Sequence, residues 1–534
     1  MGLRLALMPE VCHSASQNDQ IGWIWYAVGG SVLGACLFLP IAGDPGFERN
    51  KVFAVAFCAA VLLAVMRLQR VSRLGLALAL AFAASALTAI DPARALIGSL
   101  ERSQGVLLAL VLSVFALARL PWPVCRFWIA MAAFLSSVWA LIQLAGMESL
   151  TLALTWQNAE PQRVFAGFGN PTALGGFLAM ALPVCAELAV KDARKSARTL
   201  GFVSCVLGAA ALFASGTRAS LLGLAIAILS VLWLSRYPFR TPLAWLPESG
   251  RVFWPVLGSA VLGMLILAVI LFSVERNASV QHRIELWKDS GAALANAAQS
   301  KPLLDAPFAE QFSGELPVER FIAARIWLGF GADLQVVPLS AAQYRSQLLT
   351  GETPVQQAAG QQFSDRAHNL FLDSLLEFGL IGSALLSIWL FRGVLRLRAE
   401  PWRLCAALAG LVSWQAGFPL TAEKLTLVLV LCAATENILP NDSPEAPIRL
   451  PKILISAFAL ALSVYCFGPW LGSSNQKLRA PEHALQHFQT GTDAFKAGQY
   501  AQAKQQYTKA VAADPWRIDL RMALARAEDQ LRQR

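Results

Sequence analysis

The sequence predicts an all-α, polytopic transmembrane helical bundle of about 12–13 spans, with one large loop and a small helical C-terminal domain. Two observations carry this. Hydrophobic residues make up 56% of 534 positions and charged residues only 15%, where a soluble domain carries about 25% charged. The apolar residues also fall in repeated runs near the length needed to cross a bilayer.

The runs lie at 21–43, 51–66, 74–90, 104–119, 125–146, 168–190, 199–216, 219–235, 253–273, 370–391, 404–418, 422–438 and 453–471. The two short runs within 404–438 are compatible with one re-entrant pair. The first run begins too late and runs too long for a cleaved signal, and 1–20 lacks a signal pattern, so no processing is expected.

Four regions follow: a transmembrane bundle at 1–273, a large loop at 274–369, further spans at 370–471, and a polar helical domain at 481–534. A loop as long as 274–369 is uncommon without a function.

Basic residues alternate between loops. Arg67, Arg70 and Arg73; Arg119 and Arg126; Lys191, Arg194, Lys195 and Arg198; Arg236, Arg240 and Arg251; Arg392, Arg396, Arg398 and Arg403; and Arg449 with Lys452 all fall in alternate connections. The positive-inside rule makes these cytoplasmic and places the 274–369 loop and the tail outside. The net charge of +10 is accounted for by this topology, and no nucleic-acid signature accompanies it. Nearly all of the nine cysteines sit in or beside apolar runs, and they show neither a disulfide framework nor metal-ligand spacing.

The tail reads Gly491-x-x-Ala494-Phe495-x-x-Gly498-x-Tyr500-x-x-Ala503-x-x-x-Tyr507, then Ala510 and Pro515. This spacing resembles a tetratricopeptide repeat, in which small residues let paired helices approach and aromatics fill between them. Residues 516–533 extend it by one helix. A single repeat rarely folds alone, so partial neighbouring repeats or docking on the outer loop is expected, and a peptide or protein partner is implied.

Chemistry concentrates at His368-Asn369-Leu-Phe-Leu-Asp373-Ser-Leu-Leu-Glu377-Phe-Gly379, where the long loop meets an apolar helix. His368 is one of five histidines, and imidazole is the commonest general base. Its plain structural role would be a helix-capping His-Asn pair. On the same predicted side lie Arg94, Arg102, Arg163, Arg218 in Ser215-Gly216-Thr217-Arg218, and Arg283. Charges at membrane depth cost several kcal/mol unless paired and mark function by default. Guanidinium forks match phosphate oxygens, so several beside a bilayer suit a lipid-linked diphosphate. No Walker loop, dinucleotide glycine pattern or Cys/His cluster is present, so no cofactor and no metal are expected.

Many spans, Gly169-Asn170-Pro171 opening one of them, the Ser-x-x-Arg turn, the large loop, and His-Asn-x-x-Leu followed by Glu-x-Gly-x-x-Gly resemble the O-antigen ligase and polymerase superfamily. The resemblance covers most of 95–440. It implies a Gram-negative inner-membrane glycosyltransferase that takes glycan from an undecaprenyl-diphosphate-linked donor and transfers it on the periplasmic face. Acceptors in that family are lipid A-core sugar, another repeat unit, or protein Ser/Thr hydroxyls, and ligation to lipid A-core is the leading expectation.

The resemblance assigns general-base catalysis to His368 and diphosphate clamping to Arg218 and Arg283. Asn369 is expected to orient the imidazole or contact sugar, with Asp373 or Glu377 holding it from the next turn. Arg94, Arg102, Arg163 and Asn170 complete the expected substrate-binding set. The family's Pro-x-x-Gly-x-Gly stretch is displaced here: Pro302-Leu-Leu-Asp305 lacks the glycines, and Trp327-Leu-Gly329-Phe-Gly331 follows later. An insertion near 305–325 accounts for this and makes Arg276 and Arg325 substitutes for Arg283. Rival classes are a transporter of an anionic lipid or solute, which also wants arginines near the midplane, and a membrane anchor that displays the tail.

Overall fold

A computed structural model describes residues 15–37, 47–65, 72–98, 104–118, 120–147, 163–236, 278–303, 319–349, 367–415, 417, 419–434, 480–515 and 518–533. The described residues are helical throughout, without a named strand, and an isolated bridge joins Pro121 and Ala434. Eleven of the thirteen apolar runs coincide with helices. The runs at 253–273 and 453–471 lie outside the described residues.

The bundle comprises α1 (Ala15–Leu37), α2 (Phe47–Val65), α3 (Arg73–Thr88), α4 (Pro92–Ile97), α5 (Val106–Leu117), α6 (Trp122–Leu144), α7 (Pro171–Lys191), α8 (Lys195–Ala214) and α9 (Arg218–Arg236). Helices α10 (Ala278–Ala298), α11 (Arg325–Leu328) and α12 (Val336–Leu349) form the large connecting segment. The chain then returns through α13 (Leu370–Arg396), α14 (Pro401–Ser413) and α15 (Thr421–Cys432) and ends in α16 (Ala480–Lys496), α17 (Tyr500–Ala513) and α18 (Ile518–Arg532).

Four described helices are long and apolar enough to cross a membrane: α6, α7, α8 and α13 with its 3-10 extension. Large apolar side chains on the bundle surface, such as Phe57, Leu80, Phe202 and Phe391, are more than half exposed. A soluble protein rarely shows so much apolar surface, whereas lipid covers it without cost.

Inside the bundle the core is small-residue-rich and its charged groups are paired. A Cβ on Gly201 would overlap the backbone of α7 at Ala189, and one on Gly223 would come within 2.7 Å of the Ala409 carbonyl oxygen, so α7–α8 and α9–α14 approach closely. Glu48 pairs with Lys51 at 2.8 Å and accepts from the Thr421 amide, while Lys424 reaches Gln104 at 2.9 Å. These bonds tie α2, α5 and α15 together where an unpaired charge would be most costly. Arg403 is almost fully buried; it donates to the Val430 and Ala433 carbonyls and lies 4.7 Å from the Trp122 ring centroid. Its charge sits at the C-terminus of α15, where the helix dipole favours a cation.

The connections before α6, after α7 and before α14 meet at one end of the bundle. Trp122 donates to Glu187, Arg126 pairs with Asp192 at 3.0 Å, and Arg403 lies against Trp122. The short α14 and α15 form a hairpin from this end to the opposite one, where Leu370 N bonds Trp414 O at 2.9 Å.

Helix α13 is broken at Gly379 (φ +64°), with Glu377 and Gly382 on either side. The segment after α11 docks there: Phe330 N donates to Leu376 O at 2.7 Å and Gly331 N to Glu377 O at 3.1 Å. A Cβ on Gly379 would overlap the Trp327 backbone, and one on Gly329 (φ +80°) would overlap Glu377 O. Gly329 and Gly379, one from each motif, therefore meet in a single close backbone contact. Glu377 reinforces it by accepting from Asp333 N at 3.2 Å and from Gln335 Nε2, and Ser85 of α3 bonds Glu377 O at 2.7 Å.

The tail forms a helical hairpin with a third helix. Gly498 turns the chain at φ +73°, the Phe488 and Tyr507 rings lie 5.8 Å apart, and Gly491 leaves room for Tyr507. Met522 of α18 enters a core shared with Ala293, Phe330 and Leu376, and Arg94 bonds Asp514 at 3.3 Å. The tail thus packs on the connecting segment and on α4.

Substituting Gly379→Ala places Cβ into backbone at an unfavourable φ, and such strain costs about 1–3 kcal/mol. The expected outcome is a lowered midpoint in thermal size-exclusion assays, with Gly291→Ala, a helical position with open surroundings, shifting much less.

Candidate functional site

His368 sits in the left-handed region, at φ +53°, between two firmly held neighbours. On one side, Ala367 N donates to Asp373 Oδ1 at 2.9 Å and Ala367 O accepts from Trp287 Nε1 at 3.1 Å. On the other, Asn369 caps α13: its Oδ1 accepts from the Phe371 and Leu372 amides, and its Nδ2 donates to Gln415 O. A non-glycine residue at positive φ persists where its surroundings over-determine it, and such residues cluster at functional sites.

These holds bring in the arginines. Trp287 lies on α10 one turn after Arg283, so both occupy one face of that helix. The bond to Ala367 therefore brings the Arg283 face of α10 against the His368 loop. From the other side, Ser220 of α9 and Ser413 of α14 share a hydrogen bond of 2.9 Å, and α14 runs on to Trp414 and Gln415, which bond Leu370 and Asn369. Arg218, two residues before Ser220, opens α9 at the same end.

The turn that presents Arg218 is built by its own sequence. Gly216 takes φ +63°, Ser215 Oγ accepts from Thr217 N, and Thr217 Oγ1 bonds Pro171 O at 2.9 Å. Asn170 caps α7 through Thr172 N at 2.7 Å. The Gly-Asn-Pro and Ser-x-x-Arg motifs are thus two halves of one joint. Arg163 closes it: Nε donates to Ser215 O at 3.0 Å, with the side chain lying over Gly216.

Arg163, Arg218 and Arg283 consequently share one electrostatic neighbourhood. Burial, then the like charges of Arg163 and Arg218, hold the Arg283 guanidinium below its ordinary pKa. All three side chains are partly exposed.

Below the loop lies a cavity of ≈ 170 Å³. Leu108, Leu112, Leu386, Trp389 and Leu427 are among its apolar lining, and Asp373, Ser374, Glu377, Gln104 and Lys424 also line it.

The other expected site residues are distributed differently. Arg94 pairs with Asp514, and Glu377 holds the docked connecting segment. Arg325, a substitute for Arg283, is buried and paired with Glu319 at 2.5 Å. Arg102 and Arg276 lie outside the described residues. Trp287 was not singled out by the sequence reading, although its i+4 spacing from Arg283 was visible. Arg163, of the expected substrate-binding set, joins the turn that presents Arg218. Among the described residues no His/Cys/Asp/Glu cluster has metal-binding geometry.

No family model matches the chain, and no curated protein shows significant similarity to it.

Like charges gathered at one site oppose folding. Inorganic pyrophosphate is expected to raise the thermal midpoint of the wild-type protein, because a ligand bound only by the folded state stabilises it. Arg283→Gln should abolish that gain while leaving the ligand-free midpoint unchanged or slightly higher. Asn369→Ala should lower the midpoint by the loss of a cap, about 0.5–2 kcal/mol, and Asn369→Asp should largely restore it.

Proposed function

We propose that the protein transfers a glycan from an undecaprenyl-diphosphate-linked donor to an acceptor hydroxyl at the periplasmic face of the inner membrane. The observation that carries this reading is the shared neighbourhood of Arg163, Arg218 and Arg283 beside the His368 loop.

The chemistry follows from those groups. The donor diphosphate is the leaving group, and negative charge grows on it as the glycosidic bond breaks. Guanidinium groups fixed in advance stabilise that charge more than they stabilise the ground state. His368 takes the proton of the attacking hydroxyl, and the strained backbone fixes the imidazole's attachment point. Asn369 and Asp373 act through the backbone on either side of it. The apolar cavity under Asp373 accepts the first part of the prenyl chain, so the diphosphate stays at the rim.

Ligation to lipid A-core is the favoured transfer. Protein O-oligosaccharyl transfer is the second reading, favoured by the helical tail docked on the connecting segment, which offers a surface for a peptide near the site. Repeat-unit polymerisation uses the same groups. An anionic-lipid transporter would share the arginines but leave the clamped His368 without a role.

The test is transfer by purified protein in nanodiscs from a lipid-diphosphate oligosaccharide to a panel of lipid A-core, protein and glycan acceptors. His368→Ala should lower the rate by about 10²–10⁴-fold. Arg218→Ala and Arg283→Ala should each cost about 10²–10³-fold. The labelled product names the acceptor. Undiminished transfer by folded His368→Ala would remove the general base, and lipid movement without transfer would favour the transporter.

A further inference from the structure

A second cationic cavity lies at the far end of α13 from His368, and the proposed transfer does not use it. Its volume is ≈ 290 Å³, and Arg73 of α3 and Arg392 and Arg396 of α13 all line it. Leu74, Trp389 and Leu431 supply its apolar wall.

Three features separate this site from basic residues scattered at a membrane edge. First, the guanidinium groups come from two helices distant in sequence and share one concavity. None of the three shows an ion pair among the described residues, whereas Arg126, Arg194 and Arg403 nearby are paired. Second, the N-terminus of α3 opens into the same cavity. Ser72 caps it by accepting from Gly75 N, and the first turn of a sixteen-residue helix adds its positive dipole end. Third, the surface beside the cavity is apolar and exposed: Leu76 of α3 and Phe391 and Leu395 of α13 are each half exposed or more. The cavity therefore opens where acyl chains would lie.

We infer that this cavity between α3, α13 and α15 binds the phosphate of an anionic phospholipid. The phosphodiester fits the guanidinium forks and the α3 N-terminus, and an acyl chain follows the Trp389 and Leu431 wall. A soluble phosphate would satisfy the arginines but leave the apolar wall unused, which is why a lipid is assigned.

The experiment is native mass spectrometry of the full chain released from detergent. Bound phosphatidylglycerol, phosphatidylcholine and soluble glycerol phosphate are measured for wild type, for Arg392→Gln/Arg396→Gln, and for Lys195→Gln/Arg198→Gln. The last variant removes two exposed charges at the same end of the bundle, away from the cavity. Wild type should retain phosphatidylglycerol in preference to phosphatidylcholine. The cavity double variant should weaken that retention about fivefold per arginine removed, and the control should not. Equal loss in both double variants would reduce the effect to net charge and overturn the site. Retention of glycerol phosphate as strong as that of the lipid would overturn the lipid assignment. Glycan transfer need not occur for any of these readings.

Discussion

The docking of the 327–331 backbone onto the break in α13 is the constraint on which the rest depends. Two glycines at positive φ, Gly329 and Gly379, permit an approach that any side chain would block. From that contact the connecting segment is fixed over the end of the bundle, and Glu377 secures it through Asp333 and Gln335. Helix α10 then lies where Trp287 can reach Ala367, and the tail finds the surface on which Met522 packs. Remove the backbone contact and Arg283 has no fixed relation to His368.

The site sets favourable geometry against unfavourable electrostatics. Hydrogen bonds place Arg163 on Ser215, Arg218 at the head of α9 and Arg283 on α10, although the three charges repel one another. A fold retains such an arrangement when the surrounding joint is over-determined, here by Thr217 on Pro171, Ser220 on Ser413 and the Asn170 cap. An anion placed between them would relieve that repulsion. The buried charges of the bundle are paired: Lys51 has Glu48, and Arg403 has Glu400 and two helix carbonyls.

Much of the helical framework was legible in the sequence because apolar runs and helix caps are local. Asn170 before Pro171, and Asn369 before an apolar run, announce helix starts without reference to anything distant. The His-Asn pair was also legible as a cap, which is what Asn369 does; its bonds go to the Phe371 and Leu372 amides. What could not be read locally was the partner of each glycine. Glu-x-Gly-x-x-Gly and Gly-x-Gly were visible as separate motifs, yet each explains the other only once the 327–331 segment and α13 meet. The same holds for charge. Arg94, Arg163 and Arg325 looked alike as arginines on one side. Tertiary contacts gave them different roles: Asp514 takes the first, Ser215 the second and Glu319 the third.

The proposed transfer needs Arg163, Arg218 and Arg283 to hold one diphosphate beside His368. A cryo-electron microscopy structure of the protein in nanodiscs with a prenyl diphosphate added tests this. Diphosphate density is expected within hydrogen-bonding reach of all three guanidinium groups, with the prenyl chain entering the cavity lined by Asp373 and His368 facing the anion. Diphosphate bound away from these arginines, or a prenyl chain on a different face of α13, would contradict it.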